Sequence, residues 1–236
     1  SVMNFTGQTQ MRPEISGVFF LFQKNMLKLA STDSFRLAEK TIYLKKEVVK
    51  ETSFILPAKA ARELVSVLGE RAGNTKIFFS ATQVIFDYSI EGASQEPKIQ
   101  IVSRLIEGEY PRYQDVIPAN VGTKAVLKRE EFLNHVKAAS VFSGKMNDVR
   151  ILVDPARKGV EINSKSGDLG ENTSFLKGQV QGNKIEVAFN WRFLGDGLSQ
   201  IKSEEIELGI TTEDGPAILR PIQDEKYLYV VMPIKA

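Results

Sequence analysis

The order of apolar and polar positions predicts short β-strands separated by isolated helices. Residues 17–22 form an apolar run rich in β-formers, 23–25 carry turn residues, and 26–30 alternate in polarity. Two such runs joined by a short turn are typical of a β-hairpin. The other strands predicted in the first half of the chain cover residues 35–43, 75–80, 83–90 and 97–105.

One helix is predicted in this half, over residues 57–68. Ala60, Ala61, Leu64 and Leu68 recur at helical spacing and form a single apolar stripe. Pro57 fits the first helical turn, where its missing N–H has no partner to lose.

The second half repeats this arrangement. A helix over 128–140 places Phe132, Leu133, Val136 and Ala139 on one face. Asn190 is a good N-cap, because its side chain can accept a hydrogen bond from a free amide of the first turn. The helix that it starts carries the stripe Trp191, Leu194, Leu198 and Ile201.

The strands predicted in this half lie near 149–154, 158–164, 172–178, 183–189, 204–210, 216–221 and 226–232. Strand runs interrupted by single helices indicate an α+β fold rather than regular βαβ alternation.

Residues 105–118 are predicted to link two domains, 1–118 and 119–236. Gly108, Pro111 and Pro118 interrupt regular structure there. A weak internal repeat supports the division: the Phe-Thr-Gly at 5–7 precedes the first apolar strand as the Phe-Ser-Gly at 142–144 precedes another. The first domain is then expected to begin partway through its own leading helix. Chance similarity is the alternative explanation of the repeat.

Composition narrows the possible chemistry. The chain of 236 residues has no Cys, one His and a formal net charge of +2, so disulfides, thiolate metal sites, Cys nucleophiles and His-rich zinc sites are excluded. No apolar run is as long as a membrane span, and no basic-then-apolar leader opens the chain. This composition is typical of a cytoplasmic protein without strong nonspecific affinity for nucleic acid.

No catalytic motif is present in the sequence. Phosphate-binding Gly-rich loops, a Gly-x-Ser-x-Gly elbow and a His-Glu-x-x-His motif are all missing. His135 lies between apolar Leu133 and Val136 and is interpreted as a flanking or surface residue. We therefore expect no catalytic residue, no metal and no cofactor, and we expect the function to reside in binding surfaces.

Four segments together resemble one known family. They are Met-Arg-Pro-Glu-Ile-Ser-Gly at 11–17, Ala-Ser-Thr-Asp-Ser-Phe-Arg-Leu-Ala at 30–38, Glu-Tyr-Pro-Arg-Tyr-Gln-Asp-Val-Ile-Pro at 109–118, and Tyr-Leu-Tyr-Val-Val-Met-Pro-Ile-Lys-Ala at 227–236. With the repeat, they resemble the second and third domains of the bacterial sliding clamp, the β subunit of DNA polymerase III. The resemblance covers essentially the whole chain.

The resemblance implies two consecutive clamp domains, with helices on one face of antiparallel sheets. In the family, two three-domain chains close head to tail into a ring around duplex DNA. Such a ring is a processivity factor for the polymerase and not an enzyme. The implied partners are the DNA polymerase III α subunit, the clamp loader and repair polymerases, which dock through short motifs close to Gln-Leu-x-Leu-Phe.

The resemblance also implies a peptide-binding pocket between the two domains. Two of its positions depart from a common pattern: Phe35 stands where some members carry His, and Asp115 where some carry Arg. The residues that match the family's pocket are Ile15, Thr32, Ser34, Phe35, Arg36, Leu37, Pro111, Val116, Ala217, Val230, Met232, Pro233, Ile234 and Lys235.

Composition alone leaves the apolar run at 228–234 open to a second interpretation, a buried last strand. Met is unbranched and polarizable, which suits a site that accepts varied ligands.

The polar faces of the predicted helices add candidates for weak, sequence-independent contact with phosphates. The alternative is that these are ordinary solvated helix faces. These DNA-facing candidates are Lys59, Arg62, Lys137 and Arg192.

Two other functions remain open at this point. The chain could be a two-domain scaffold that uses the same cleft without a role on DNA. It could also be a hydrolase built on dispersed carboxylates, although no spacing in the sequence favours an acid pair.

Overall fold

The computed structural model describes residues 2–7, 12–69, 71–90 and 98–235. Contacts divide the chain into two compact units, one of Ser1–Ser34 with Glu39–Pro111 and one of Phe35–Ala38 with Arg112–Ala236. Of the predicted segments, Met11, Pro97 and Ala236 lie outside the described residues.

The first unit contains two antiparallel sheets and one helix. The larger sheet has the strand order β3-β2-β1-β4, and the smaller has the order β5-β6-β7. The elements are β1 (Gly17–Gln23), β2 (Met26–Thr32), β3 (Arg36–Tyr43), β4 (Thr52–Pro57), α1 (Ala58–Leu68), β5 (Asn74–Phe79), β6 (Gln83–Ser89) and β7 (Ile99–Arg104).

Aromatic rings fill the core of this unit. The Phe20 ring stacks on Phe54 at 4.8 Å between centroids and lies 6.2 Å from Phe86. Alternation along β1 turns Phe20 and Phe22 inward, and α1 buries Ala61 of its predicted stripe.

The second unit contains two sheets and two helices. One sheet has the order β12-β8-β14-β15-β16, with the start of β3 next to β16, and the other has the order β11-β10-β9-β13. The elements are β8 (Thr123–Lys128), α2 (Arg129–Ser140), β9 (Asp148–Asp154), β10 (Gly159–Ser166), β11 (Gly170–Lys177), β12 (Gln179–Gln181), β13 (Ile185–Asn190), α3 (Trp191–Gln200), β14 (Glu205–Ile210), β15 (Ala217–Pro221) and β16 (Tyr227–Val231).

Helices α2 and α3 pack against each other and against the sheets. All four residues of the predicted α2 stripe are buried. The Oδ1 atom of Asn190 accepts a hydrogen bond from the Arg192 N–H at 2.9 Å, which confirms the predicted N-cap of α3. The α+β prediction is confirmed as well.

Some boundaries differ from the predictions. Pro57 is the N-cap of α1 in an extended conformation rather than a residue of its first turn, because it also ends β4. Lys128 likewise ends β8 and caps α2, which begins at Arg129. Strands β4, β8 and the short β12 are not among the predicted strands. Within the predicted linker, Tyr113–Val116 forms a 3-10 turn, so this stretch is not wholly irregular.

Candidate functional site

The C-terminal tail of the second unit is held in an extended path by two backbone hydrogen bonds. After β16 ends at Val231, the Met232 N–H donates to the Phe35 carbonyl and the Ile234 N–H donates to the Ala188 carbonyl, both at 2.8 Å. Pro233 lies between the two donors, at a position where the chain uses no N–H. The side chains of Met232, Pro233 and Ile234 remain partly accessible.

The segment that accepts the first of these bonds presents an exposed aromatic ring. Ser34 has a left-handed backbone with φ of 77°, and its N–H donates to Thr32 Oγ1 at 3.1 Å. This turn reverses the chain between β2 and β3. Phe35 follows with 61% of its surface exposed, which is unusual for a residue of this size and apolarity.

Helix α3 supplies the neighbour of that ring. The rings of Phe35 and Phe193 stack with their centroids 6.3 Å apart and an interplanar angle of 27°. The Arg36 guanidinium lies over the Phe193 ring at 4.5 Å, and its Nη1 is 2.6 Å from Asp196 Oδ2. We call Phe35, Arg36, Phe193, Asp196 and Met232 the aromatic cluster.

Two interactions fix α3 beneath the aromatic cluster. The Tyr229 hydroxyl of β16 donates to the Phe193 carbonyl at 2.8 Å. Gly197 packs directly on the Tyr229 ring, where a Cβ atom would overlap the ring carbons. The fully buried Tyr229 therefore couples the strand that leads into the tail to the helix that carries Phe193.

Several predicted pocket residues of this unit lie behind that surface rather than on it. Leu37, Ala217 and Val230 are buried, and Ala217 pairs with Val231 in the sheet. Val116 is 51% exposed on the 3-10 turn. Lys235 is exposed.

The predicted pocket residues of the first unit are placed as follows. Ile15 is buried, Thr32 and Pro111 are partly buried, and Ser34 is exposed. Burial raises the pKa of the Tyr110 phenol well above its usual range, although a hydrogen bond with the Thr32 backbone lowers it. Tyr110 therefore stays neutral and stacks on Phe19 at 4.7 Å.

The four predicted DNA-facing side chains are exposed on their helices. Lys59 and Arg62 lie on α1, Lys137 on α2 and Arg192 on α3. The Arg192 guanidinium lies 4.8 Å from the Trp191 ring centroid, and its Nε donates to Asn147 Oδ1 at 3.4 Å.

Phe193 and Asp196 are not among the predicted site residues. Phe193 lies outside the apolar stripe of α3. A large aromatic side chain away from the buried face of an amphipathic helix indicates an interaction surface, and this signal was available in the sequence. Asp196 carried no such signal, because its pairing with Arg36 joins residues 160 positions apart.

Within the parts of the chain that the structure describes, no group of three His, Asp or Glu residues is arranged to hold a metal ion. None of the described helices is long and apolar enough to cross a membrane.

Comparison with known proteins gives a consistent family match over both halves of the chain. The model of the central domain of the DNA polymerase III beta subunit matches residues 3–112, and that of its C-terminal domain matches 114–235. A beta sliding clamp of Staphylococcus aureus is 29% identical over 234 residues, which is 98% of this chain and 60% of the relative. The chain thus spans about 60% of the length of the curated relatives that it matches.

Solved structures give the same result for the fold. The DNA polymerase sliding clamp of Bacillus subtilis is 25% identical with a TM-score of 0.91, over 100% of this chain and 60% of that one. The DNA polymerase III beta subunit of Thermotoga maritima is 28% identical with a TM-score of 0.88, over 100% and 61%.

Proposed function

Because this chain belongs to the DNA polymerase III beta subunit family, we propose that it forms part of a DNA replication processivity factor. In this role a longer chain closes head to tail with a second copy around duplex DNA and tethers the polymerase without catalysing a reaction. Retention by closure needs only weak, sequence-independent contacts with phosphates. Lys59, Arg62, Lys137 and Arg192 are the proposed contacts, and the cytoplasm is the proposed location.

We further propose that the aromatic cluster and the tail bind short linear motifs of partner proteins. The observation that carries this proposal is the exposed Phe35 ring stacked on Phe193 beside the partly accessible Met232. Large exposed apolar side chains grouped together are typical of an interaction site. The partners proposed are the DNA polymerase III α subunit, the clamp loader and repair polymerases.

The chemistry of the surface fits a motif such as Gln-Leu-x-Leu-Phe. Burying one Leu and one Phe side chain contributes roughly 3–6 kcal/mol, and ordering the peptide opposes this gain. The expected Kd is on the order of micromolar, an affinity that allows partners to exchange. The remaining residues implied by the resemblance (Ile15, Thr32, Ser34, Leu37, Pro111, Val116, Ala217, Val230, Pro233, Ile234 and Lys235) stay part of the proposal as contacts or supports.

Titration of a fluorescein-labelled Gln-Leu-Ser-Leu-Phe peptide with the 236-residue chain tests the binding proposal. Fluorescence anisotropy should rise and saturate with a Kd between about 1 and 100 μM. A peptide of the same composition in scrambled order is the matched control. Absence of saturable binding at several hundred micromolar chain would contradict the proposal.

A further inference from the structure

A second concave surface of the second unit adjoins the tail. This groove encloses about 570 Å³, and Ile234 and Lys235 form part of its lining. Its other lining residues come from β9, β13, the segment before β9 and the loop between β14 and β15. The groove therefore continues from the far end of the tail, whose beginning, Met232, belongs to the aromatic cluster.

The groove runs along the edge of a sheet. In the part of the chain that the structure describes, β13 is the last strand in the order β11-β10-β9-β13 and pairs with β9. Its other side faces the tail, because the Ala188 carbonyl accepts the Ile234 N–H there. An extended segment of the chain thus already lies against this edge, and the groove lies beside it.

The groove has an excess of negative charge. Asp148, Glu186, Glu213 and Asp214 line it together with the cations Arg150 and Lys235, so four carboxylates face two cations and leave a formal charge of −2. Arg150 Nη1 lies 3.2 Å from Glu186 Oε1 and neutralises that carboxylate.

The other three carboxylates of the groove are Asp148, Glu213 and Asp214. Among the described residues, no Lys or Arg nitrogen lies within ion-pair distance of Asp148, Glu213 or Asp214. A concave surface with an excess of one sign of charge attracts ligands of the opposite sign. Met146 on the same lining is 62% exposed and offers apolar contact to the methylene stem of a Lys or Arg side chain.

We infer that this groove binds a basic flanking segment of the partner peptides whose apolar motif occupies the aromatic cluster. The inference rests on the proposed function, since the apolar motif brings the flank to the groove. Lys or Arg residues next to the motif pair with Glu213, Asp214 and Asp148. The groove thereby distinguishes partners that carry the same apolar motif with different flanks.

Three labelled peptides test the inference on the 236-residue chain. Each carries Gln-Leu-Ser-Leu-Phe between two-residue flanks on both sides, which are Ser-Gly, Lys-Lys or Glu-Glu. At about 50 mM salt the Lys-flanked peptide should bind about fivefold tighter than the neutral one, and the Glu-flanked peptide more weakly. At about 500 mM salt the three Kd values should converge, because the Debye length falls to about 4 Å.

Variants that remove carboxylate charges test whether the preference for Lys flanks arises from the groove. The double variant Glu213→Gln, Asp214→Asn should reduce the preference for Lys flanks to within about twofold and leave the Kd of the neutral peptide unchanged. The matched control, Glu204→Gln with Glu225→Gln, removes two carboxylates at the opposite end of the β14–β15 hairpin and should keep the preference.

The outcomes separate the two proposals. Saturable binding of the neutral peptide with no preference for Lys flanks overturns the groove inference and leaves the proposed function intact. A preference that persists in the Glu213→Gln, Asp214→Asn variant also overturns it. Failure of the neutral peptide to bind overturns the proposed function and the inference with it.

Discussion

The Phe35 carbonyl accepts a hydrogen bond from the Met232 amide at 2.8 Å, across 197 positions of sequence. This bond brings a strongly exposed aromatic residue next to the tail that follows the last strand. Because it uses backbone atoms only, both side chains remain available to a ligand. The relationship also means that substitutions at Met232 can change the surface without removing the bond that positions it.

Replacing Met232 with Asp should abolish binding of the motif peptide. A carboxylate at the centre of an apolar contact must lose its hydration without gaining a partner, so we expect at least about a thirtyfold rise in Kd. The anisotropy titration measures the change, and the thermal midpoint should stay within about 2 °C of the parent chain. The control Ile222→Asp changes an exposed apolar residue of this unit and should leave the Kd unaltered. An unchanged Kd for Met232→Asp would remove Met232 from the site.

Replacing Phe193 with Ala should weaken peptide binding about tenfold. The substitution removes the ring that stacks on Phe35 and carries the Arg36 guanidinium, and aromatic anchors of this kind often dominate an interface. Titration of the same peptide gives the ratio of the Kd values. Phe193→Tyr keeps the ring and should bind within about threefold of the parent, so equal losses in both variants would contradict an anchoring role.

The sequence predicts some parts of the fold and of the candidate site but not others. The stripe of α2 and the Asn190 cap follow from local spacing, and both were predicted. Strand β8 alternates regularly between buried and exposed positions. Its local pattern is therefore sufficient to predict a strand, although β8 is not among the predicted strands. The path of the tail could not be predicted from local pattern, because the residues that accept from Met232 and Ile234 are Phe35 and Ala188, which are distant in the sequence.

Two glycines of α3 provide a test of the packing that supports the cluster. Gly197→Ala places a methyl group into the Tyr229 ring and should lower the free energy of unfolding by about 2–3 kcal/mol. Gly195→Ala is the matched control, since the nearest atom to its Cβ is Leu133 Cδ1 at 3.9 Å. That variant should be neutral or more stable by up to about 1 kcal/mol, because Ala favours the helix over Gly.

Urea denaturation followed by tryptophan fluorescence separates the two glycine variants. Trp191 is the single Trp of the chain and lies on α3, so its emission reports on this unit. Equal stability of the Gly197→Ala and Gly195→Ala variants would contradict the packing described for Tyr229.

Asp154 should make the stability of the second unit depend on acid pH. Burial alone would raise the pKa of Asp154, but hydrogen bonds from the Arg157 and Ala156 amides at 3.3 and 3.0 Å and the Lys184 ammonium at 3.4 Å hold it below its ordinary value. A carboxyl group with a lower pKa in the folded state stabilises the fold fully above the unfolded-state pKa. That contribution is lost as the pH falls through the folded-state pKa.

The measurement is the urea midpoint of Trp191 fluorescence between about pH 6 and pH 2.5. Asp154→Asn should flatten the decline at low pH, whereas Asp168→Asn, at an exposed position, should leave it unchanged. The same decline in the parent chain and in Asp154→Asn would contradict the assignment to Asp154.

Methyl NMR of the five methionines tests the central claim most directly. With the chain labelled at the Met ε-methyl groups, addition of the neutral Gln-Leu-Ser-Leu-Phe peptide should shift the Met232 signal with the same saturation as the anisotropy titration. The Met26 signal, from strand β2 of the first unit, serves as the reference and should not move. Saturable peptide binding that leaves the Met232 signal in place would contradict a site built on the tail and the aromatic cluster.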